Sequence, residues 1–191
     1  ETSSAFDMNI VKNLFETGKI DKTIEVVCNG FKTDDYLAKI SDLINNGFEN
    51  VIPVLDNYRE LDKLTESIDT TFDIGIRIAS EEEPKFEFYT SRLGIGYKDI
   101  IPYYSQKIAE HPNARLKMLH FFINTGIKDT AYYWNELFKC LRVYARLKKI
   151  APEVDSLNIG GGFPIKNSLQ FDYDYEYMAN EIAYQIKKFC E

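Results

Sequence analysis

The 191-residue sequence predicts an α/β fold: a partial (β/α)8 TIM-type barrel, with parallel strands and outer helices. Three observations carry that expectation. Helical and strand patterns alternate along the whole chain with no hairpin signal, as parallel strands joined by helical crossovers require. The glycines Gly160-Gly161-Gly162 come late and contiguous, directly after a strand, whereas a dinucleotide-binding sheet carries spaced glycines after an early strand. Only five strands are countable, starting near residues 23, 50, 72, 115 and 156. A closed barrel has eight strands and about 250 residues. Glu1-Thr2 reads as the tail of one more strand, so the chain is expected to be a piece of a barrel.

Each element has a local reason. Ala5, Met8, Ile10, Val11 and Leu14 mark a first helix, capped by Thr2, Ser3 or Ser4 and stopped by Gly18. Thr23 to Cys28 is a β-branched run closed by Asn29-Gly30. Asp34-Asp35 opens a helix ending near Gly47. Asn50 to Leu55 reads as a strand, although Pro53 is awkward in a central one. A helix follows from Tyr58 to Ile68, then a strand from Phe72 to Ile78. The acidic stretch Glu81-Glu82-Glu83-Pro84 reads as a solvated loop. A helix is expected from about Lys98 to Glu110, a strand from Leu116 to Ile123, and the longest helix from Thr130 to Lys149. Its stripe of Trp134, Leu137, Phe138 and Leu141 reads as core. A last strand, Ser156 to Ile159, leads into the glycines, and Asp172 to Phe189 forms the final helix. In a cut barrel Val26, Ile52, Ile74 and their neighbours are expected to be poorly covered, depending on which face each takes.

Composition narrows the function. The chain is 45% hydrophobic and 28% charged, with net charge −7, which suits one globular unit with a sizeable core. Its lysines and arginines are scattered, so no nucleic-acid partner is expected. No apolar run approaches the roughly 20 residues of a membrane span. Three dispersed cysteines, Cys28, Cys140 and Cys190, fit a reducing cytoplasm better than a disulfide frame. His111 and His120 are the only histidines, and no metal-ligand spacing is present.

The glycine run carries the chemistry. Three residues without Cβ let backbone N–H groups approach an oxyanion, and the loops after the seventh and eighth barrel strands commonly hold phosphate. A plain turn is the alternative. Arg77 ends an apolar strand, where an unpaired charge is costly; the alternative is an arginine reaching solvent past the strand end.

Six stretches in order resemble one family: Glu1-Thr2-Ser3-Ser4, Val27-Cys28-Asn29-Gly30-Phe31-Lys32, Ile76-Arg77-Ile78, Ser91-Arg92-Leu93-Gly94, Leu119 to Gly126, and Gly160-Gly161-Gly162-Phe163-Pro164. They resemble the barrel domain of the pyridoxal-phosphate amino-acid decarboxylases with an alanine-racemase-like barrel. That family includes ornithine, diaminopimelate and biosynthetic arginine decarboxylases. The CNGFK stretch looks most like the arginine enzymes of polyamine biosynthesis. A carboxynorspermidine-type decarboxylase, a racemase or a non-catalytic, cofactor-binding or regulatory homologue are the other readings.

The resemblance implies a homodimeric parent protein acting on a small-molecule substrate, a basic amino acid with arginine first, with pyridoxal 5′-phosphate as cofactor. It makes residues 1–191 about strands 3 to 7 of the barrel. The Schiff-base lysine of the first strand, the acidic residue of the eighth and a cysteine from the second, β-rich domain of the dimer partner then lie outside this chain. No catalytic residue is expected within it, and the chain alone is expected to be inactive. By resemblance, Gly160, Gly161 and Gly162 bind the phosphate, and Thr125 matches a serine that also bonds it; a helix N-cap is the other reading of Thr125. Phe122 stands where many members stack a histidine on the cofactor ring; it can stack but neither hydrogen-bond nor titrate. His120 reads as a satisfied core histidine. Arg77 matches an arginine near the cofactor, and Glu1 an acidic residue that is a candidate partner for it. Ser91 and Arg92 match a Ser-Lys pair at the substrate rim, with arginine changing the donor geometry. Cys28 reads as packing.

Overall fold

The computed structural model describes residues 1–80, 93–123, 126–166 and 171–190. Helix α1 (Ala5–Glu16) starts at Ser4, whose hydroxyl accepts from the Asp7 amide at 3.3 Å. Strand β1 (Glu25–Cys28) and helix α2 (Asp34–Asn45) follow, with Thr33 capping α2 and Asp34 and Asp35 in its first turn. Then come β2 (Asn50–Leu55), α3 (Arg59–Ser67), β3 (Phe72–Ala79) and a two-residue strand β4 (Ile95–Gly96). Helix α4 (Ile100–Tyr103) runs on as a π-helical turn over Tyr104–Ile108. The chain continues through β5 (Ala114–Phe121), α5 (Ala131–Ile150), β6 (Ser156–Asn158) and α6 (Tyr175–Cys190).

All pairings are parallel, and the strand order is sequential, β1-β2-β3-β5-β6. That is a barrel wall; a doubly wound sheet reverses its order at a switch point. Strand β4 pairs with Ile78 and Ala79 of β3, past the end of the β2 ladder. Thr2 adds the expected strand tail: it bridges Cys28, with Thr2 N–H on Val27 O and Asn29 N–H on Thr2 O, both at 2.8 Å. Pro53 is accommodated because the register toward β3 begins one residue later, at Val54.

Two apolar layers flank the sheet. The larger lies between sheet and helices and includes Val26, Ile40, Leu64, Ile74, Ile76, Leu119, Tyr133 and Leu137. Here Leu137 and Leu141 of the α5 stripe are buried, with Trp134 and Phe138 packed against the cluster. The smaller layer is the concave face: Val27, Ile52, Val54 and Met118. Gly75 keeps this face tight, since a Cβ there would stand 3.0 Å from Val54 Cγ2. The expectation of poor cover, which depended on the face taken, is overturned at Ile52, 0% exposed on the concave face; Val26 and Ile74, 4% and 0% exposed, are on the helix side. The curvature of the wall brings the concave residues together around Ile52. The exposed apolar row lies instead on α1, where Phe6, Ile10 and Leu14 recur at helical spacing. Among the described residues no helix is long and apolar enough to cross a membrane.

Candidate functional site

Strand register stacks the concave face in levels. Val54, Gly75, Met118 and Ser156 are aligned across β2, β3, β5 and β6 and form one level. Two residues further on, the next level is polar. Arg77 pairs with His120 and His120 with Asn158, while Asp56 follows Leu55, the partner of Ile76. Beyond it, toward the carboxyl ends of the strands, lie Phe122 and Gly160. Alternation along a strand returns the same face every second residue, so the apolar level is a floor beneath a polar site.

The glycine loop is tied to this level. Asn158 Oδ1 accepts from Gly160 N–H at 2.8 Å, and Asn158 Nδ2 donates to Glu1 Oε1 at 2.6 Å. Glu1 adjoins β1 and Asn158 belongs to β6, so this one side chain joins opposite edges of the curved sheet. A groove of about 410 Å³ lined by Glu1, Val27, Met118 and Asn158, among others, opens between those edges. Gly160 and Gly162 adopt φ of +73° and +101°, a conformation that excludes most side chains. A Cβ on Gly160 would lie 2.7 Å from Phe121 O. Gly162 packs on Gly126, whose own Cβ would lie 2.5 Å from Gly162 O, and Ile127 N–H donates to that carbonyl at 3.0 Å. Gly161 meets nothing within 4 Å, so its face of the loop is open. With Gly160 N–H engaged, the amides of Gly161 and Gly162 are the ones available to an anion.

Arg77 is turned inward, its side chain 14% exposed, and does not reach solvent past the strand end. Its Nη1 lies 3.7 Å from Asp56 Oδ1, and its Cζ stands 5.4 Å from the centroid of the Phe122 ring. The candidate pairing with Glu1 is therefore replaced: Asp56 is on the adjacent strand beside Arg77, whereas Glu1 is held by Asn158. A second buried charge pair backs Asp56. Lys32 Nζ contacts Glu60 Oε2 at 3.2 Å, Gly30 O at 2.9 Å and Val54 O. Glu60 also accepts from the Asp56 N–H at 2.9 Å and from Asn57 Nδ2 at 3.0 Å. Burial raises the pKa values of Asp56 and Glu60, against the pull of Lys32 on both and of Arg77 on Asp56.

His120 is buried, as expected, but not satisfied: Nδ1 has no hydrogen-bond partner among the described residues. Burial, reinforced by the Arg77 and Lys32 charges and opposed by Glu1, pushes its pKa down to about 4. The ring is neutral near pH 7. His111 is structural, its Nδ1 accepting from the amides of Asn113 and Ala114 at 3.1 and 2.9 Å. Cys28 is fully buried, with burial raising its thiol pKa, in keeping with packing. Thr125, Ser91 and Arg92 lie outside the described residues. The cap of α5 is Thr130, whose hydroxyl accepts from Tyr133 N–H at 3.2 Å.

Four residues of this site escaped the sequence reading: Lys32, Asp56, Glu60 and Asn158. Asp56 carried a usable signal. A carboxylate that ends an apolar strand, one strand over from an arginine that does the same, invites pairing.

A parallel barrel wall with a glycine loop and a cationic side chain at its carboxyl ends defines a phosphate-cofactor class of site. The profile of the pyridoxal-dependent decarboxylases, pyridoxal binding domain, matches residues 10–191, and the chain belongs to that family. It is 23% identical over 189 residues to a biosynthetic arginine decarboxylase from Rhodopirellula baltica, covering 90% of this chain and 28% of that protein. Among solved structures, a diaminopimelate decarboxylase from M. jannaschi superposes with a TM-score of 0.78 at 19% identity, over 100% of this chain and 44% of the other. A lysine decarboxylase from Selenomonas ruminantium gives 0.73 at 21% identity, over 98% and 46%. The chain thus spans less than a third of that curated relative. Pyridoxal phosphate fits the residues present: the open glycine amides suit its phosphate, and Phe122 and Arg77 offer a flat face and a cation beside them.

Proposed function

We propose that residues 1–191 are the phosphate-binding part of a longer pyridoxal-phosphate-dependent decarboxylase of a basic amino acid, arginine first among them. On this reading they are about strands 3 to 7 of its barrel. The first and eighth strands and the C-terminal β domain lie outside them, and the intact protein is a cytoplasmic homodimer. The observation that supports this best is the meeting of Gly160, Phe122 and Arg77 at one end of one parallel sheet.

The bound cofactor supplies an electron sink for the pair left behind as carbon dioxide departs. The residues of this chain hold and orient. Gly161 and Gly162 donate backbone N–H groups to the phosphate, with Thr125 adding a hydroxyl. Phe122 supports the ring face, and Arg77 places a fixed cation beside it. Asn158 anchors the loop through Gly160 and holds Glu1 at the site's edge. The resemblance assigns the substrate rim to Ser91 and Arg92.

Ornithine, diaminopimelate or carboxynorspermidine chemistry, or racemisation, are the alternatives on the same barrel. One observation favours a non-catalytic homologue: the ring at the stacking position is a phenylalanine already engaged with Arg77. Carbon dioxide release from arginine, ornithine and diaminopimelate by the longest natural polypeptide containing this chain separates these readings. Release from arginine above the others is the expected result. Cofactor binding with neither release from these three and carboxynorspermidine nor racemisation of any amino acid would leave the non-catalytic reading standing.

A further inference from the structure

Among the described residues, most buried side-chain polar atoms without a hydrogen-bond partner fall in one level of the site, Asn29 Oδ1 and the Tyr133 hydroxyl being the others. Asp56 Oδ1 and Oδ2, Arg77 Nε and His120 Nδ1 belong to three neighbouring strand ends. Asp56 is 1% exposed and faces Arg77 at 3.7 Å, a charge contact too long for a hydrogen bond. The backbone leading into the Asp56 carboxylate is pinned. Its own N–H donates to Glu60, Glu60 is paired to Lys32, and Lys32 is seated on Val54 O two residues upstream. A carboxylate fixed in this way sets where the guanidinium can lie. Phe122 bounds Arg77 on its other side. A buried carboxylate whose two oxygens lack protein donors calls for an explanation, and the nearest cation to it among the described residues is Arg77.

We propose that Asp56 is a positioning residue: it holds the Arg77 guanidinium toward the ring of the bound cofactor, while the glycine loop independently holds the phosphate. This rests on the reading of the site as a pyridoxal-phosphate site. Asp56 touches neither cofactor nor substrate; it acts through Arg77.

The test separates ring from phosphate. Calorimetric titration of the full chain uses pyridoxine 5′-phosphate, which carries ring and phosphate without an aldehyde, and inorganic phosphate as the ringless control. Asp56→Asn keeps the side chain's shape and removes its charge. It is expected to weaken pyridoxine phosphate about tenfold and to leave inorganic phosphate within about twofold, since a charge-assisted contact is worth a factor of this order. Arg77→Met is expected to lose the same amount, and the double variant no more than Arg77→Met alone, because coupled residues are not additive. Equal affinities in wild type and Asp56→Asn, equal loss of both ligands, or additive losses would each overturn the positioning role. Should Asp56→Asn fail to fold, Asp56→Glu, with its anion displaced by one methylene, must show the same ring-selective loss. A wild-type chain that binds neither ligand overturns the cofactor reading itself, and the positioning role with it.

Discussion

Gly160 donates its backbone N–H to Asn158 Oδ1 at 2.8 Å, so the first amide of the glycine loop is spent inside the protein. The same Asn158 side chain donates to Glu1 at 2.6 Å. Asn158→Ala removes both contacts. The expected cost is about 1 kcal/mol, since one contact is part-buried and the other, to the Glu1 carboxylate, is exposed to water. The sharper readout is hydrogen exchange: the Gly160 amide is expected to exchange faster in the variant, with α2 and α5 amides unchanged. Unaltered exchange at Gly160 would mean that Asn158 does not hold the loop.

The three glycines are not equivalent. Gly161 has no positive φ and an open flank. Gly161→Ala is expected to change stability by no more than about 0.5 kcal/mol, while the added methyl crowds the open amides and weakens inorganic phosphate. Gly126→Ala is expected to cost about 2 kcal/mol or more. Its φ is +76° and its Cβ would meet Gly162 O at 2.5 Å. Urea midpoints together with phosphate titration check both. A destabilised Gly161→Ala, or a Gly126→Ala as stable as wild type, would contradict the loop's geometry.

Much of this site is not written as a local pattern. The strands near 23, 50, 72, 115 and 156 were legible because each is an apolar run between breakers. Strand β4 was not, since Ile95-Gly96 is two residues long and exists only because β3 outruns β2. The glycine loop and Arg77 were legible from residue type and position. The Lys32–Glu60–Asp56 cluster was not, because it joins a loop, a helix and a strand end, and no periodicity links residues 32, 56 and 60. His120 illustrates the same limit. Its burial follows from strand alternation, but its unpartnered Nδ1 depends on which side chains the neighbouring strands bring beside it.

The neutral, buried His120 makes stability depend on pH. Its pKa falls from 6.5 to about 4 on folding, so its contribution is complete above pH 6.5 and is lost as pH falls toward 4. The integrated effect is on the order of 3 kcal/mol. Asp56 and Glu60 act in the opposite sense. Folding raises their pKa values, so what they contribute is present below the ordinary carboxylate range and is lost as pH rises through the raised values. Comparison of wild type with His120→Gln separates the two effects. Between pH 6.5 and 4 the wild-type urea midpoint is expected to fall more steeply than that of the variant. Parallel curves would show that His120 is not held neutral in the folded chain.

The remaining prediction concerns covalent chemistry on the chain by itself. The expected outcome is no carbon dioxide release from any amino acid and no specific covalent attachment of pyridoxal phosphate. Attachment needs a lysine whose amine is free to attack the aldehyde. Among the described residues, Lys32 is the lysine buried at the carboxyl ends of the strands, and its side chain is fully enclosed. Its Nζ faces three acceptors, Gly30 O, Val54 O and Glu60, which match the three donors of an ammonium group and leave no lone pair for attack. The cofactor should therefore bind reversibly through its phosphate, and inorganic phosphate should compete. Incubation with pyridoxal phosphate, borohydride reduction and peptide mass spectrometry give the answer. Low, scattered labelling of exposed lysines that phosphate does not suppress is expected. One stoichiometric adduct, on Lys32 or any other single lysine, would show that the chain carries its own covalent anchor, and the proposal that the anchor lies outside residues 1–191 would fall with it.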